Sequence, residues 1–209
     1  RRSYVSTNFS SGRLYISGTA NIVLDLNGYK IDRKLDAARS SGSVIYMGSA
    51  TCKLEITDTS DSGAGTITGG FSSNTGGAIY NYGGELKITG GNITGNRGAY
   101  GAVHNAQAEP TCKLILGGKI NIGGNTHYQD NANKCDIYLY GTKDIIDIAS
   151  KLTVNEKIGI WRSGRGVLTK DFGKFNDVSP TEIFYSHNLP DYEVAALNTD
   201  GGIEGEMFC

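Results

Sequence analysis

Residues 78–89 read Ala78-Ile79-Tyr80-Asn81-Tyr82-Gly83-Gly84-Glu85-Leu86-Lys87-Ile88-Thr89: a short alternating strand, a glycine turn and a second alternating strand. The same plan recurs upstream at 44–57 (VIYMGSATCKLEIT) and downstream at 102–116 (AVHNAQAEPTCKLIL) and 136–148 (DIYLYGTKDIIDI). A third short strand follows the first three of these pairs, as GTITG at 65–69, GNITG at 91–95 and GKINI at 118–122. The distance from Ile45 to Ile79 is 34 positions, from Ile79 to Val103 it is 24, and from Val103 to Ile137 it is 34 again. A constant unit with variable loops is the signature of a repeat architecture.

Strands this short, separated by Gly, Asn and Ser turns and lacking a 3.6-residue apolar period, cannot pair as sequential hairpins without breaking the equivalence of the units. Each is expected to pair with its own counterpart one unit on. The predicted fold is therefore all-β: a single chain wound as a parallel β-helix, three short strands per coil, with like residues stacked about 4.8 Å apart. At ~28 residues per coil the chain makes roughly seven coils, about 34 Å of stack.

Alternation assigns faces. Ile45, Ile79, Val103 and Ile137 point inward, which sends Tyr46, Tyr80, His104 and Tyr138 outward as a column. In the second strand Leu54/Ile56, Leu86/Ile88, Leu114/Leu116 and Ile146/Ile148 face in, and Glu55 lies above Lys87. In the third, Ile67, Ile93 and Ile120 are expected in one buried row. Asn81 and Asn105 share an inward strand-end position where stacked amides can hydrogen-bond along the axis.

The organisation predicted is one domain over 1–209: N-terminal coils over 1–40, regular coils over 41–155, and a terminal coil and cap over 156–209. Residues 22–31 give two strands about an Asn-Gly turn, and Leu14-Tyr15-Ile16 gives another. The segment 172–208, richer in aromatics, is expected to cover the open end of the stack, since an exposed strand edge invites aggregation.

Composition excludes several classes. The 30 glycines among 209 residues are about twice ordinary usage, but there is no collagen period and there are only 3 prolines. Twenty Lys+Arg against 21 Asp+Glu leave a net charge of −1, without the basic excess that a phosphate backbone requires. No nucleic-acid partner is expected. No apolar run approaches the ~18 residues of a membrane span, so no membrane insertion is expected either. The opening Arg1-Arg2-Ser3 reads as an excised or processed segment of a longer protein, and the module is expected to be monomeric.

Chemistry-bearing motifs are sparse. His104, His127 and His187 are too scattered for a zinc motif, and no metal or cofactor is expected. His104 belongs to the outward column, where a stacking role fits better than a general base. Asp58-Thr59-Ser60-Asp61-Ser62-Gly63 has the letters of a calcium loop without its spacing, and reads as a side-chain-capped turn. Cys52 and Cys112 fall in one column two coils apart with Gly84 between, about 9.6 Å and too far for a disulfide. They are expected as buried thiols, while Cys135 and Cys209 can pair only if the cap folds back.

LDLNGYKI at 24–31, with LEITDTSDSGAGTITGG, GGAIYNYGGELKITGGNITGN and INIGGNTHYQDNANKCDIYLYG, resembles right-handed, pectate-lyase-like β-helix repeat domains of large adhesin-like surface proteins of Gram-positive gut bacteria, over roughly residues 22–150. Phe71-Ser72-Ser73-Asn74 before Gly76-Gly77-Ala78-Ile79 is also similar to the FxxN and GGA[ILV] signatures of polymorphic outer-membrane adhesins. The resemblance implies an extracellular, bacterial cell-surface module without catalysis that presents loops to a glycan or a host surface protein. The column Tyr46, Tyr80, His104 and Tyr138 is the candidate binding surface, because aromatic faces with hydroxyl edges suit sugar rings and protein hot spots. The same fold also hosts polysaccharide lyases and hydrolases, which work through clustered carboxylates or an acidic Ca²⁺ site. Asn198-Thr199-Asp200 matches the opening letters of the polygalacturonase motif, with no Asp-Asp pair or Gly-His-Gly after it. A third reading is a structural spacer.

Overall fold

The computed structural model describes residues 12–107, 110–131, 134, 136–142, 144–162, 164–187, 192–200 and 202–208. Cys135 and Cys209 lie outside the described residues. Among the described residues the chain is all-β apart from two single-turn helices. In order it forms β1 (Leu14–Ile16), β2 (Asn21–Asp25), β3 (Lys30–Asp32), β4 (Ile45–Thr57), β5 (Thr66–Thr68), β6 (Phe71–Ser72), β7 (Ile79–Ile93), β8 (Arg97–Gly98), β9 (Val103–Asn105) and β10 (Cys112–Ile122). There follow β11 (Thr126–His127), β12 (Ile137–Leu139), β13 (Ile146–Thr153), β14 (Ile158–Trp161), β15 (Gly166–Val167), β16 (Thr169–Lys170), α1 (Phe172–Phe175), α2 (Pro180–Ile183), β17 (Phe184–Ser186), β18 (Glu193–Thr199) and β19 (Gly202–Phe208). No helix among the described residues is long and apolar enough to cross a membrane.

Thirteen strands form one curled parallel sheet, and strands pair with their sequence equivalents rather than with their chain neighbours. Leu14, Ile45, Ile79, Val103, Ile137, Ile160 and Ser186 follow one another in register. A second row runs Ile22, Leu54, Leu86, Leu114, Ile146 and Thr169. A third runs Ile31, Ile67, Ile93 and Ile122. Ile45, Ile79, Val103, Ile137, Leu86 and Leu114 are all 0% exposed. Burying such a side chain contributes about 1.5–3 kcal/mol, so these rows hold the stack together. Outside them, Glu55 and Lys87 meet at 3.0 Å as adjacent ladder partners.

The third row departs from expectation at one place. Ile122, not Ile120, pairs with Ile93, and Ile120 pairs with Gly91. The register slips between Leu116 and Lys119, where Gly118 takes φ +68° and the strand carries one extra residue. A bulge of this kind needs the left-handed backbone that glycine supplies. Ile120 and Ile122 are two residues apart and both buried, so alternation alone could not choose between them.

Polar side chains also stack. Asn81 Nδ2 donates to Asn105 Oδ1 at 2.9 Å, with both residues buried. A longer line went unrecognised in the sequence. Asn96 Oδ1 accepts the Gly70 N–H, Asn125 Oδ1 accepts both the N–H and the amide of Asn96, and Asp136 Oδ1 accepts the amide of Asn125 at 3.2 Å. Asp136 Oδ2 then takes the Gly159 N–H at 3.0 Å. This line satisfies backbone groups at the corners, where the strand ladder ends and buried polar groups would otherwise be stranded.

The C-terminal region divides. β17, placed by the sequence inside the cap, instead joins the parallel sheet, with Phe184 in register on Ile158. The cover comes from α1, α2 and the antiparallel β15–β19–β18 sheet. Phe172 and Phe184 are 0% and 1% exposed with ring centroids 6.3 Å apart. Glu204 ties the parts together by accepting the Thr169 hydroxyl at 2.7 Å and the Phe172 N–H at 3.0 Å. Arg162, fully buried, donates to the carbonyls of Asp144, Gly164, Gly166 and Val167, and burial lowers its pKa to about 10.

Candidate functional site

The outward residues of the first row form a continuous line of rings. Tyr15, Tyr46, Tyr80, His104, Tyr138 and Trp161 occupy successive register positions. Their centroids are separated in turn by 5.1, 5.2, 5.1, 5.0 and 4.5 Å. Sequence reasoning placed Tyr46, Tyr80, His104 and Tyr138 here and missed Tyr15 and Trp161. Both carried the signal: Leu14-Tyr15-Ile16 and Ile160-Trp161 repeat the Ile45-Tyr46 pattern, but they lie outside the clear repeat from which the register was read.

His104 differs from the exposed residue expected. It is in the column yet only 6% exposed, because the Tyr100 ring, contributed by a loop, sits 4.5 Å from it. Burial lowers its pKa to about 3, and its Nδ1 is a buried atom with no hydrogen-bond partner among the described residues. The ring is a neutral spacer. Desolvation likewise raises the phenol pKa values of Tyr46, Tyr80 and Tyr138.

Rings stacked on rings leave little free π-face along the line. Tyr15 lies parallel to Tyr46, and the Arg13 guanidinium covers Tyr46 at 4.3 Å. Each end ring meets a single ring of the column among the described residues, Tyr15 on Tyr46 and Trp161 on Tyr138, and the Trp161 end borders a cleft. Trp161 is stacked with Tyr138 at 14° between planes, and among the described residues no ring packs on its other side. A cleft of about 460 Å³ opens there, lined by Tyr100, Tyr138, Trp161, His127, His187 and Lys134. A second hollow of about 360 Å³ adjoins it across Tyr100 and His127, lined further by Asn74, Tyr128 and Gln129. Neither hollow has an Asp or Glu among its described lining residues.

The polar groups of the cleft are held by backbone. His187 Nε2 accepts the Asp136 N–H at 3.2 Å, which in the neutral ring puts the proton on Nδ1. A side chain on Gly159 would put its Cβ 2.0 Å from His187 Nε2, so glycine there makes room for the imidazole. Asp136, 2% exposed, lies behind the ring at 3.8 Å and is the last member of the Asn96–Asn125 line. His127 Nδ1 accepts the Gln129 N–H at 3.4 Å. Lys134 pairs by backbone bridge with Thr126 and is exposed.

Other residues singled out in the sequence serve structure. Asp58 accepts the N–H groups of Gly28 and Gly65 and the Ser60 hydroxyl at 2.7–2.8 Å, and these hydrogen bonds outweigh desolvation to lower its pKa. It organises a turn. Asn198-Thr199-Asp200 lies at the exposed β18–β19 turn, with Thr199 opposite Gly202. Cys52 and Cys112 are free and buried, and Cys112 is in register with Gly84. Phe71 is 7% exposed beneath the Arg97 guanidinium at 3.9 Å. No group of three or more His, Cys, Asp or Glu arranged for a metal ion occurs among the described residues.

No family model, curated protein or solved structure matches this chain.

Proposed function

We propose that the chain is a right-handed parallel β-helix of about seven three-strand coils that serves as a non-catalytic, extracellular module of a bacterial cell-surface, adhesin-like protein. Its role is to present the aromatic-ended cleft to glycans. The run of register partners from Leu14 to Ser186 supports the coil reading, one residue per turn. The observation that carries the binding reading is the unstacked side of Trp161 bordering the 460 Å³ cleft. A sugar ring placed there would bury its apolar face on the indole and meet the Tyr100 and Tyr138 hydroxyls at its edge.

A polysaccharide hydrolase would need two carboxylates flanking the scissile bond, about 5–10 Å apart, and the cleft lining supplies neither among the described residues. The test is retention on a glycan array and on a panel of host surface proteins, with wild type compared to Trp161→Ala and Tyr46→Ala. Retention lost in Trp161→Ala and kept in Tyr46→Ala supports the assignment. Retention unaffected by Trp161→Ala overturns it. Release of unsaturated or reducing sugar ends from polysaccharides would overturn the non-catalytic reading.

A further inference from the structure

We infer that the cleft at Trp161 selects anionic saccharides, meaning a sugar ring that carries a carboxylate or sulfate. This rests on the glycan-binding reading above and adds the charge of the ligand.

The cleft is asymmetric in charge. Its ionisable lining groups are Lys134, His127, His187 and the phenols of Tyr100 and Tyr138, with no acidic group among the described lining residues. Four of the strand lysines, Lys53, Lys87, Lys113 and Lys151, each meet a carboxylate at 2.7–3.4 Å, whereas Lys30, Lys119 and Lys170 meet none among the described residues. Lys134 makes no ion pair among the described residues, and its backbone is pinned by the bridge to Thr126. An exposed ammonium at the rim of an aromatic cleft is a point charge for an incoming anion.

The imidazoles point the same way. His187 spends its Nε2 lone pair on the Asp136 N–H, and His127 spends its Nδ1 lone pair on the Gln129 N–H. What each neutral ring has left is an N–H donor, on Nδ1 and Nε2 respectively. The nearest carboxylate, Asp136, has its Oδ2 3.8 Å from His187 Nε2, behind the ring, and accepts from the Asn125 amide and the Gly159 N–H. Among the described residues the site thus combines a flat apolar platform with N–H donors and the Lys134 ammonium. An uncharged sugar uses the platform; a charged one uses both.

Binding of methyl glucuronide and galactose 6-sulfate, with methyl glucoside and galactose as uncharged counterparts, tests this by calorimetry and by Trp161 emission, the chain having a single tryptophan. Both anionic sugars should bind about tenfold more tightly than their counterparts, the scale of one charge-assisted hydrogen bond. In Lys134→Gln that preference should vanish, each anionic sugar falling to the affinity of its uncharged counterpart measured on the same variant. Equal affinity for charged and uncharged sugars, or a preference that survives Lys134→Gln, overturns the anionic selectivity and leaves the glycan reading standing. Absence of binding by any of the four sugars, together with no retention on the glycan array, overturns both. Preference for inorganic phosphate over the anionic sugars would show that the ring platform plays no part, and also overturns it.

Discussion

Tyr138 and Trp161 sit in register on adjacent parallel strands with ring centroids 4.5 Å apart and planes 14° from parallel. The pair ends the column and forms one wall of the cleft. Offset stacking of this kind contributes about 0.5–1.5 kcal/mol beyond area burial. A double-mutant cycle of Tyr138→Leu and Trp161→Leu, read from urea unfolding followed by circular dichroism, should return a coupling in that range. A coupling near zero would mean that the stack is an accident of strand register.

The buried neutral His104 predicts a pH-dependent stability. Its folded pKa is lowered from 6.5 to about 3, so the folded state excludes a proton that the unfolded chain accepts. The stability tied to the neutral ring is complete above the unfolded pKa and is lost as pH falls through the window between the two values. The loss runs at up to about 1.4 kcal/mol per pH unit. Asp25 and Asp58, whose pKa values are also lowered, act in the same direction, and the comparison must cancel them. Urea midpoints of wild type and His104→Phe at neutral and mildly acidic pH do so. The variant should lose less stability on acidification, and an identical loss would refute the assignment.

The Asn96 amide line should be worth far more than the surface ion pairs. Asn96→Ala strands the Gly70 N–H and takes the side-chain donor from the Thr94 carbonyl, while Asn125 Oδ1 keeps the backbone N–H of residue 96 and the Ile67 carbonyl keeps that of Thr94. Each stranded group costs about 1–3 kcal/mol, so a loss of about 2 kcal/mol or more is expected. Lys87→Ala, whose side chain and Glu55 partner are each 34% exposed, should cost within about 1 kcal/mol. Chemical denaturation ranks the two directly.

Cys52 and Cys112 should resist alkylation in the folded protein. Burial raises both thiol pKa values, that of Cys112 to about 11, and their Sγ atoms donate to the carbonyls of Ser49 and Asn81. Iodoacetamide at mildly alkaline pH, followed by peptide mapping, should leave both unmodified until denaturant is added. Native-state labelling of either would show that its strand opens.

The row Ile45, Ile79, Val103 and Ile137 was legible because β-branched residues recur at matching positions in units whose short strands can only pair with their equivalents. The Glu55–Lys87 pair and the Asn81–Asn105 ladder followed from that register. The Asn96–Asn125–Asp136 line was not legible, since its members sit at corners where no alternation marks a face. Nor was the Ile122 register, because a bulge adds a residue without changing which side chains are apolar. Tyr100, His127, Lys134 and His187 come from loops or short end strands, and nothing local in the chain announces that they converge.

The amino-acid order alone determined the parallel stacking, the buried rows and the outward ring column, because strand period and repeat spacing are local quantities carried by the chain. Only the three-dimensional arrangement decided that His104 is covered, that a cleft opens at the column's Trp161 end, and that the donors of three separate segments meet there. Those facts depend on where loops of unequal length return to the stack, and loop paths are set by packing between segments far apart in sequence rather than by any periodicity within them.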